Sequence, residues 1–190
     1  GVSIFFVITG FFMTKIISDK GINFSIVDFY VSRVNALYPQ LLISTILIFF
    51  AYLFFGELDR MDVFLDSFLA SISSTMNFYL IDQGDVYSNQ SYINLFLPLW
   101  AFSIIFQFYV LYPIILKLFF LFTKLDFNKL FYILAFSTLS SYLVYIYFLG
   151  IGSEVGNFYH PFSRLWQFLL GGVVYCIVKI YKPKKNINFT

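Results

Sequence analysis

Five long apolar runs divide this chain, and their lengths approach or exceed what a helix needs to cross a lipid bilayer. They cover residues 1–17, 39–56, 95–118, 130–149 and 163–181. A transmembrane helix needs about 20 apolar residues, and hydrocarbon admits only helices and closed barrels. The chain is 60% hydrophobic and 12% charged, too apolar for a water-soluble domain. We therefore predict an all-α fold, a polytopic membrane helix bundle with about five transmembrane helices.

The segment 64–81 has a different pattern. Its apolar residues recur near helical spacing and are Phe64, Leu65, Phe68, Leu69, Ile72 and Met76. Polar residues, among them Asp66, Ser67, Ser71 and Ser74, fall largely between them. This periodicity is typical of an amphipathic helix. We expect one amphipathic or re-entrant helix there, at the interface or against the bundle, rather than a sixth crossing.

Charged residues are distributed unevenly around the runs. If residues 18–38 are cytoplasmic and the crossings alternate, ten of the twelve Lys and Arg residues lie on the inner side. Seven of the ten acidic residues then lie on the outer side, and only Arg60 and Arg164 oppose the trend. Because basic residues are enriched in cytoplasmic loops, this distribution predicts the orientation. It places the polar loop 82–94 outside and the basic tail 182–190 inside.

The chain shows neither a linker nor an internal repeat, so we interpret residues 1–190 as a single membrane domain. Gly1 stands inside the first run, with no basic leader or initiator Met before it. We expect the chain to be a fragment of a larger multi-helix domain or a processed product. The tail 182–190 is expected to connect to further residues or to end near anionic membrane lipid.

The composition also limits the partners. A net charge of +2 gives no indication of nucleic acid binding. The sequence has no cluster of Cys and His residues with metal-ligand spacing, so no metal is predicted. The single cysteine, Cys176, is interpreted as an apolar packing residue.

A few polar residues inside or beside the apolar runs are candidates for function, because such residues are costly in lipid. Arg33 is either a cytoplasmic anchor or a phosphate contact, since guanidinium binds phosphate bidentately. Gln107 either joins helices by hydrogen bonds or lines a site, and the first role is favoured. Arg164, on the outer side, is expected to contact acids or a substrate. For His160 a structural or solvated role is favoured.

Four segments, in order, carry a resemblance to a known family. They are GVSIFFVITGF (1–11), FYVSRVNALYP (29–39), WAFSIIFQFYVLYP (100–113) and SRLWQFLLG (163–171). This ordered set resembles the membrane acyltransferase-3 family, the bacterial O-acyltransferases that acetylate surface sugars.

The resemblance implies a function in the bacterial inner (cytoplasmic) membrane, with a multi-pass chain. An acyl group, expected to be acetyl, would pass from cytoplasmic acyl-CoA to a hydroxyl of a cell-surface or exported polysaccharide such as lipopolysaccharide. Acetyl-CoA would be the donor substrate and no metal would be needed. The resemblance implies that Arg33 contacts the CoA phosphates and that polar side chains orient the acyl carbonyl or the sugar. The full predicted substrate-binding set is Arg33, Asn77, Trp100, Gln107, Tyr109 and Arg164.

The chain also departs from the family pattern at positions that would carry proton transfer. Ile105 and Gln167 stand where the family has Glu, and Pro98 stands where it often has His. Ser32 and Ala36 replace basic residues, and the family helix with an Arg and a His would precede Gly1. We therefore assign no catalytic residue. Two hypotheses remain: a sugar O-acyltransferase or part of one, and a degenerate homologue or membrane partner in polysaccharide export. A transporter core is a more distant third.

Overall fold

The computed structural model describes residues 1–56, 60–84, 94–123 and 126–181, and all regular structure in these ranges is helical. The helices are α1 (Val2–Lys20), α2 (Ile26–Phe55), α3 (Met61–Ile72), α4 (Met76–Gln83), α5 (Leu99–Thr123), α6 (Phe127–Gly150), α7 (Glu154–Tyr159) and α8 (Pro161–Tyr181), with a short 3-10 turn at Gly21–Asn23. The predicted all-α fold is confirmed. Most of the predicted loop 82–94 and all of the tail 182–190 lie outside the described residues.

Five helical segments are long and apolar enough to cross a membrane, as predicted. They are Val2–Asn23, Ile26–Phe55, Leu99–Thr123, Phe127–Gly150 and Glu154–Tyr181. Large aromatic side chains remain exposed on their surfaces, including Phe55 at 90% and Phe122 at 85%. Such exposure is stable only where the surrounding solvent is itself apolar.

The second span begins earlier than predicted. We expected it to start at residue 39, but α2 begins at Ile26 and continues through Pro39. Ser25 caps its N-terminus, because the Ser25 hydroxyl accepts a hydrogen bond from the Asp28 amide at 3.2 Å. Arg33 is therefore part of a 30-residue helix rather than of a loop that precedes it.

The segment 64–81, expected to form one amphipathic or re-entrant helix, is divided between two short helices. α3 ends at Ile72, α4 starts at Met76, and Ser74 between them has a left-handed φ of 57°. The Ser73 hydroxyl donates a hydrogen bond to the Leu69 carbonyl at 2.8 Å and so caps the C-terminal end of α3. Hydroxyl groups that bond to nearby backbone in this way compete with helix continuation.

Burial in this segment does not follow the division between polar and apolar residues. Ser67, Ser71 and Ser74 are buried, whereas Leu65 and Leu69 are exposed. The Ser71 hydroxyl donates to the Ser67 carbonyl at 2.7 Å, so its polarity is satisfied within the helix. Small residues allow close packing between helices in a membrane, and leucines are stable against lipid. The buried residues of the segment therefore include these serines together with Phe64 and Met76.

The two short helices form a hairpin, hereafter the α3–α4 hairpin. Its first arm, α3, runs antiparallel to α2. Near its start the Phe64 ring stacks on Tyr52, with centroids 3.7 Å apart. Near its tip the Ile72 carbonyl accepts a hydrogen bond from the Tyr38 hydroxyl at 2.7 Å. Fourteen residues of helix separate Tyr38 from Tyr52, which is roughly 21 Å. The tip therefore packs against the N-terminal half of α2, whereas the start of α3 packs near the C-terminal end of α2. This is the geometry expected of a re-entrant segment.

The helices are divided between two compact units. The first unit contains Gly1–Phe24, Pro113–Val144 and the described part of Leu165–Thr190. The second unit contains Ser25–Tyr112 and Tyr145–Arg164. The interpretation of residues 1–190 as one membrane domain stays a prediction.

In the first unit, α1 and α8 pack backbone against backbone. A Cβ atom at Gly10 would collide with the Phe168 carbonyl, and one at Gly171 would collide with the Val7 carbonyl. Further along the same pair of helices, Asp19 accepts hydrogen bonds from Tyr175 at 3.0 Å and from Lys179 at 3.3 Å. Glycines and a buried tyrosine thus hold the two helices together.

Candidate functional site

The six residues predicted to bind substrate all lie in the second unit. They are Arg33 on α2, Asn77 on α4, Trp100, Gln107 and Tyr109 on α5, and Arg164 on α8. The structure brings them together as three pairs, each held by a different kind of contact. α5 contributes one member to every pair.

Arg33 and Tyr109 form the first pair. The Arg33 guanidinium carbon lies 5.6 Å from the centre of the Tyr109 ring and 5.2 Å from that of Phe29. Phe29 precedes Arg33 by one helical turn, so both side chains lie on one face of α2. The Arg33 Nε atom is buried and has no hydrogen-bond partner among the described residues. A cation held over two rings with an unused donor is suited to binding an anion such as a phosphate.

Gln107 and Asn77 form the second pair. The Gln107 Nε2 atom donates to Asn77 Oδ1 at 2.8 Å and to the Ser74 carbonyl at 3.2 Å. Asn77 is fully buried, and its Nδ2 atom donates to the Tyr159 carbonyl at 3.4 Å. The network therefore joins α5, the hairpin tip and α7. These contacts agree with the favoured interpretation, in which Gln107 joins helices by hydrogen bonds.

Ser103 extends this network by one helical turn of α5. Its hydroxyl accepts a hydrogen bond from the Met76 amide at 3.2 Å and donates to the Leu99 carbonyl at 3.1 Å. Met76 is the first residue of α4, where the backbone amides have no partner within the helix. Ser103 and Gln107 thus hold the turn at Ser74 and the first two residues of α4.

Arg164 and Trp100 form the third pair. The Arg164 Nε atom donates to the Phe158 carbonyl at 2.9 Å. The guanidinium carbon lies 4.8 Å from the centre of the Phe158 ring and 5.8 Å from that of Trp100. We predicted that Arg164 contacts acids or a substrate. The structure places it on aromatic rings and a backbone carbonyl.

His160 lies between α7 and α8. Its Nδ1 atom accepts a hydrogen bond from the Phe162 amide at 3.3 Å. Its ring centre is 5.3 Å from that of Phe148 and 5.7 Å from that of Phe162. These contacts agree with the structural role that the sequence favoured.

Two of the positions that depart from the family pattern, Ile105 and Gln167, are buried, whereas Ser32, Ala36 and Pro98 are exposed. Ile105, where the family has Glu, is 4% exposed on α5. Gln167, where the family has another Glu, is 3% exposed, and its Oε1 atom has no partner in the described part of the chain. Within those ranges no three His, Cys, Asp or Glu side chains are grouped so as to hold a metal ion.

Sequence reasoning missed several residues of these pairs. Phe29 and Ser103 could have been found, because each lies one helical turn before a residue already singled out. Phe158 and the carbonyl of Ser74 carried no such signal. They reach Arg164 and Gln107 only through tertiary packing.

These features define a multi-pass membrane protein with two arginines held over aromatic rings and a buried polar network. The profile of the family described as "Acyltransferase domain" matches residues 1–189, and the chain belongs to this family. The family resemblance expected from the four sequence segments is confirmed.

Curated relatives agree with this membership. The O-acetyltransferase OatA of Staphylococcus aureus (strain NCTC 8325 / PS 47) is 27% identical over 193 residues, which cover 99% of this chain and 31% of the relative. The chain thus spans about a third of the length of that relative. An uncharacterized protein of Haemophilus influenzae is 31% identical over 123 residues, which cover 60% of this chain and 48% of that protein. No solved structure matches the chain significantly.

Proposed function

We propose that the whole protein transfers an acyl group, acetyl in the simplest case, from cytoplasmic acyl-CoA to a hydroxyl of a cell-surface or exported polysaccharide. Family membership and the likeness to an O-acetyltransferase support the transfer of an acyl group. The donor, the polysaccharide acceptor and a place in the bacterial inner membrane are parts of the proposal. Membrane lipid would surround the exposed faces of the spans.

The observation that carries the proposal is the environment of Arg33. Its guanidinium lies over Phe29 and Tyr109, and its buried Nε atom lacks a hydrogen-bond partner among the described residues. The charge distribution predicts that this end of α2 faces the cytoplasm, where acyl-CoA is found. A phosphate of CoA would supply the missing acceptor and pair with the positive charge.

The polar network around Gln107 lies on a different face of α5 from Tyr109, and it would act on the acyl group or the sugar. Gln107 is held at 2.8 Å from Asn77, so its amide has a defined direction. Tyr109 keeps a phenol next to the guanidinium of Arg33. In this proposal these groups orient the reacting carbonyl and hydroxyl, while acid–base groups come from the rest of the protein.

The test compares three variants of the full protein: Arg33→Ala, Arg33→Lys and Lys129→Ala. Lys129 is the matched control, because it is a cation on the same predicted side whose side chain is 65% exposed. We expect Arg33→Ala to raise the KM for acetyl-CoA at least about tenfold, since it removes charge-assisted hydrogen bonds to phosphate. Arg33→Lys should recover part of the loss, because lysine keeps the charge without the fork of donors. Lys129→Ala should leave the KM unchanged.

The measurements are acetyl transfer in isolated membranes and ester-linked acetate on the cell-surface polysaccharide. An unchanged KM in Arg33→Ala would contradict the role of Arg33. Absence of any acetyl transfer by the unaltered protein would contradict the proposed function itself.

Ile105 favours the second candidate function, a catalytically degenerate homologue or a membrane partner in polysaccharide export. A buried isoleucine cannot transfer a proton where the family has a carboxylate. Deleting the gene separates the two functions. The enzyme hypothesis expects normal amounts of polysaccharide without acetyl esters, and the partner hypothesis expects less polysaccharide at the surface.

A further inference from the structure

A cleft of about 800 Å³ lies between the two arms of the α3–α4 hairpin, within the second unit. Asp66 belongs to one arm, Asp82 to the other, and Tyr38 of α2 closes the end near the tip. The cleft is largely open to its surroundings, and its volume falls in the range of sites that hold small molecules, roughly 300–1,000 Å³.

The lining of this cleft is accessible and combines apolar residues, among them Leu69 and Ile72, with polar ones. Two carboxylates, Asp66 and Asp82, and two hydroxyl groups, Ser73 and Thr75, belong to exposed residues. The Ser73 and Thr75 oxygens lie 2.8 Å apart at the hairpin tip. Exposed carboxylates are costly against hydrocarbon, so the cleft is suited to water or a polar ligand rather than to lipid tails.

Aromatic side chains alternate with these polar groups. Tyr38 and Tyr79 are half-buried, and Phe78 is 48% exposed. A sugar ring offers hydroxyl groups around its edge and C–H groups on its faces. Carboxylates and hydroxyls can bond the former, and aromatic rings can pack on the latter. The cleft therefore combines the two kinds of contact that a carbohydrate requires.

The charge of the cleft selects among carbohydrates. Its lining includes two carboxylates but no Lys, Arg or His among the described residues. Burial, followed by the nearby Asp66, Asp62 and Asp82 carboxylates, raises the pKa of Tyr79. The Tyr79 phenol is therefore neutral at physiological pH, and its hydroxyl donates to the Val63 carbonyl at 3.4 Å. An anionic sugar would meet two like charges without a counterion, and a neutral sugar would not.

The cleft also lies next to the candidate site. Its tip is the turn 73–75, and the Ser74 carbonyl accepts a hydrogen bond from Gln107 at 3.2 Å. Tyr38, at the same end, is five residues from Arg33 on α2. The charge distribution predicts that Asp66 and Asp82 face the outside, opposite to the end of α2 that leads to Arg33.

We propose that this cleft is the acceptor subsite and that it takes a neutral sugar unit of the polysaccharide, to the exclusion of uronic and other acidic sugars. The inference rests on the proposed function, because it assigns the acceptor of that reaction. Asp66 and Asp82 accept hydrogen bonds from sugar hydroxyls, and the hairpin tip directs the sugar towards Gln107.

The first experiment measures binding without catalysis. Oligosaccharides released from the envelope of the producing cells are split by anion exchange into neutral and acidic fractions, and each is titrated against the full protein in lipid nanodiscs. We expect the neutral fraction to bind and the acidic fraction to bind at least about tenfold more weakly. Asp66→Asn and Asp82→Asn should each weaken neutral binding about tenfold, the effect of losing one hydrogen bond to a charged group. Glu154→Gln is the control, because this exposed carboxylate of α7 lines a different cavity.

The second experiment measures acetyl transfer with donor and acceptor varied separately. We expect Asp66→Asn to raise the KM for the neutral acceptor and to leave the KM for acetyl-CoA unchanged, the reverse of Arg33→Ala. Equal binding of both fractions, or neutral binding that Asp66→Asn and Asp82→Asn leave unchanged, would overturn the proposed subsite. Absence of transfer together with charge-selective binding would overturn the proposed reaction and keep the subsite.

Discussion

Two half-buried arginines of the second unit differ in how their charged groups are held. The Arg164 guanidinium is engaged, since its Nε atom donates to the Phe158 carbonyl at 2.9 Å. The Arg33 guanidinium lies over similar rings, but its buried Nε atom has no acceptor among the described residues. A buried donor without an acceptor is costly. We therefore assign the acyl-CoA donor site to Arg33 rather than to Arg164, whose Nε atom already has an acceptor.

Gln107 gives a prediction at the scale of one residue. Replacing it with Leu keeps the volume but leaves Asn77 Oδ1 and the Ser74 carbonyl without their donor. An unsatisfied buried acceptor costs about 1–3 kcal/mol, so we expect the free energy of unfolding of Gln107→Leu to fall by about that amount. The measurement is equilibrium unfolding in detergent.

Leu118→Ala on the same helix is the control, because Leu118 is 49% exposed and contributes less to packing. A double variant with Asn77→Ala measures the coupling between the two amides. Strictly additive losses would contradict a direct hydrogen bond between them.

At the scale of helices, close backbone contact decides how α1 and α8 pack. Gly171 of α8 leaves no room for a Cβ atom, since one would meet the Val7 carbonyl and the Phe11 amide of α1. Gly10 has the same relation to Phe168. Small residues that allow such an approach are the usual means of packing helices in lipid, where burial of apolar surface adds little.

This contact predicts that Gly171→Ala separates the two helices. Overpacking a close contact costs about 1–3 kcal/mol, and we expect a loss of that size in the unfolding free energy. Gly150→Ala at the end of α6 is the matched control, because a Cβ atom there would meet no atom within 4 Å. Equal stability of the two variants, measured in one detergent, would contradict the packing described for the first unit.

At the scale of the whole molecule, the predicted orientation can be tested with added cysteines. Cys176 is fully buried, so the unaltered chain provides a low background for thiol reagents. We expect Gln83→Cys, in the α3–α4 hairpin, to react with a membrane-impermeant maleimide on intact cells. Lys129→Cys, at the start of α6, should react only after the cells are opened. The reverse result would invert the orientation and with it the predicted sides of donor and acceptor.

The larger features of the fold followed from local patterns. Apolar length alone located all five spans, because a helix in hydrocarbon must satisfy its own backbone wherever it lies. Periodicity showed that the segment 64–81 is not a span, but it did not reveal that Ser67, Ser71 and Ser74 are buried. In water the apolar face of a helix turns inward, whereas in lipid leucine is stable on the outside and serine packs within.

The pairing of the candidate residues could not be predicted in the same way. Asn77 contacts the carbonyl of Tyr159, 82 positions further along the chain. Such a contact depends on how helices pack against each other. The hydrophobic periodicity of one segment carries no information on that packing. The break at Ser74 was hidden for a similar reason, since its left-handed backbone is held by Gln107 of another helix.

The sequence by itself therefore determined a multi-pass helical membrane protein of the acyltransferase family, because length, hydropathy and ordered motifs are local properties. The tertiary structure alone decided that Arg33 keeps an unused donor, that Gln107 holds the tip of the α3–α4 hairpin, and that two carboxylates line one cleft. These features arise where side chains distant in sequence meet, and only packing brings them within hydrogen-bond distance.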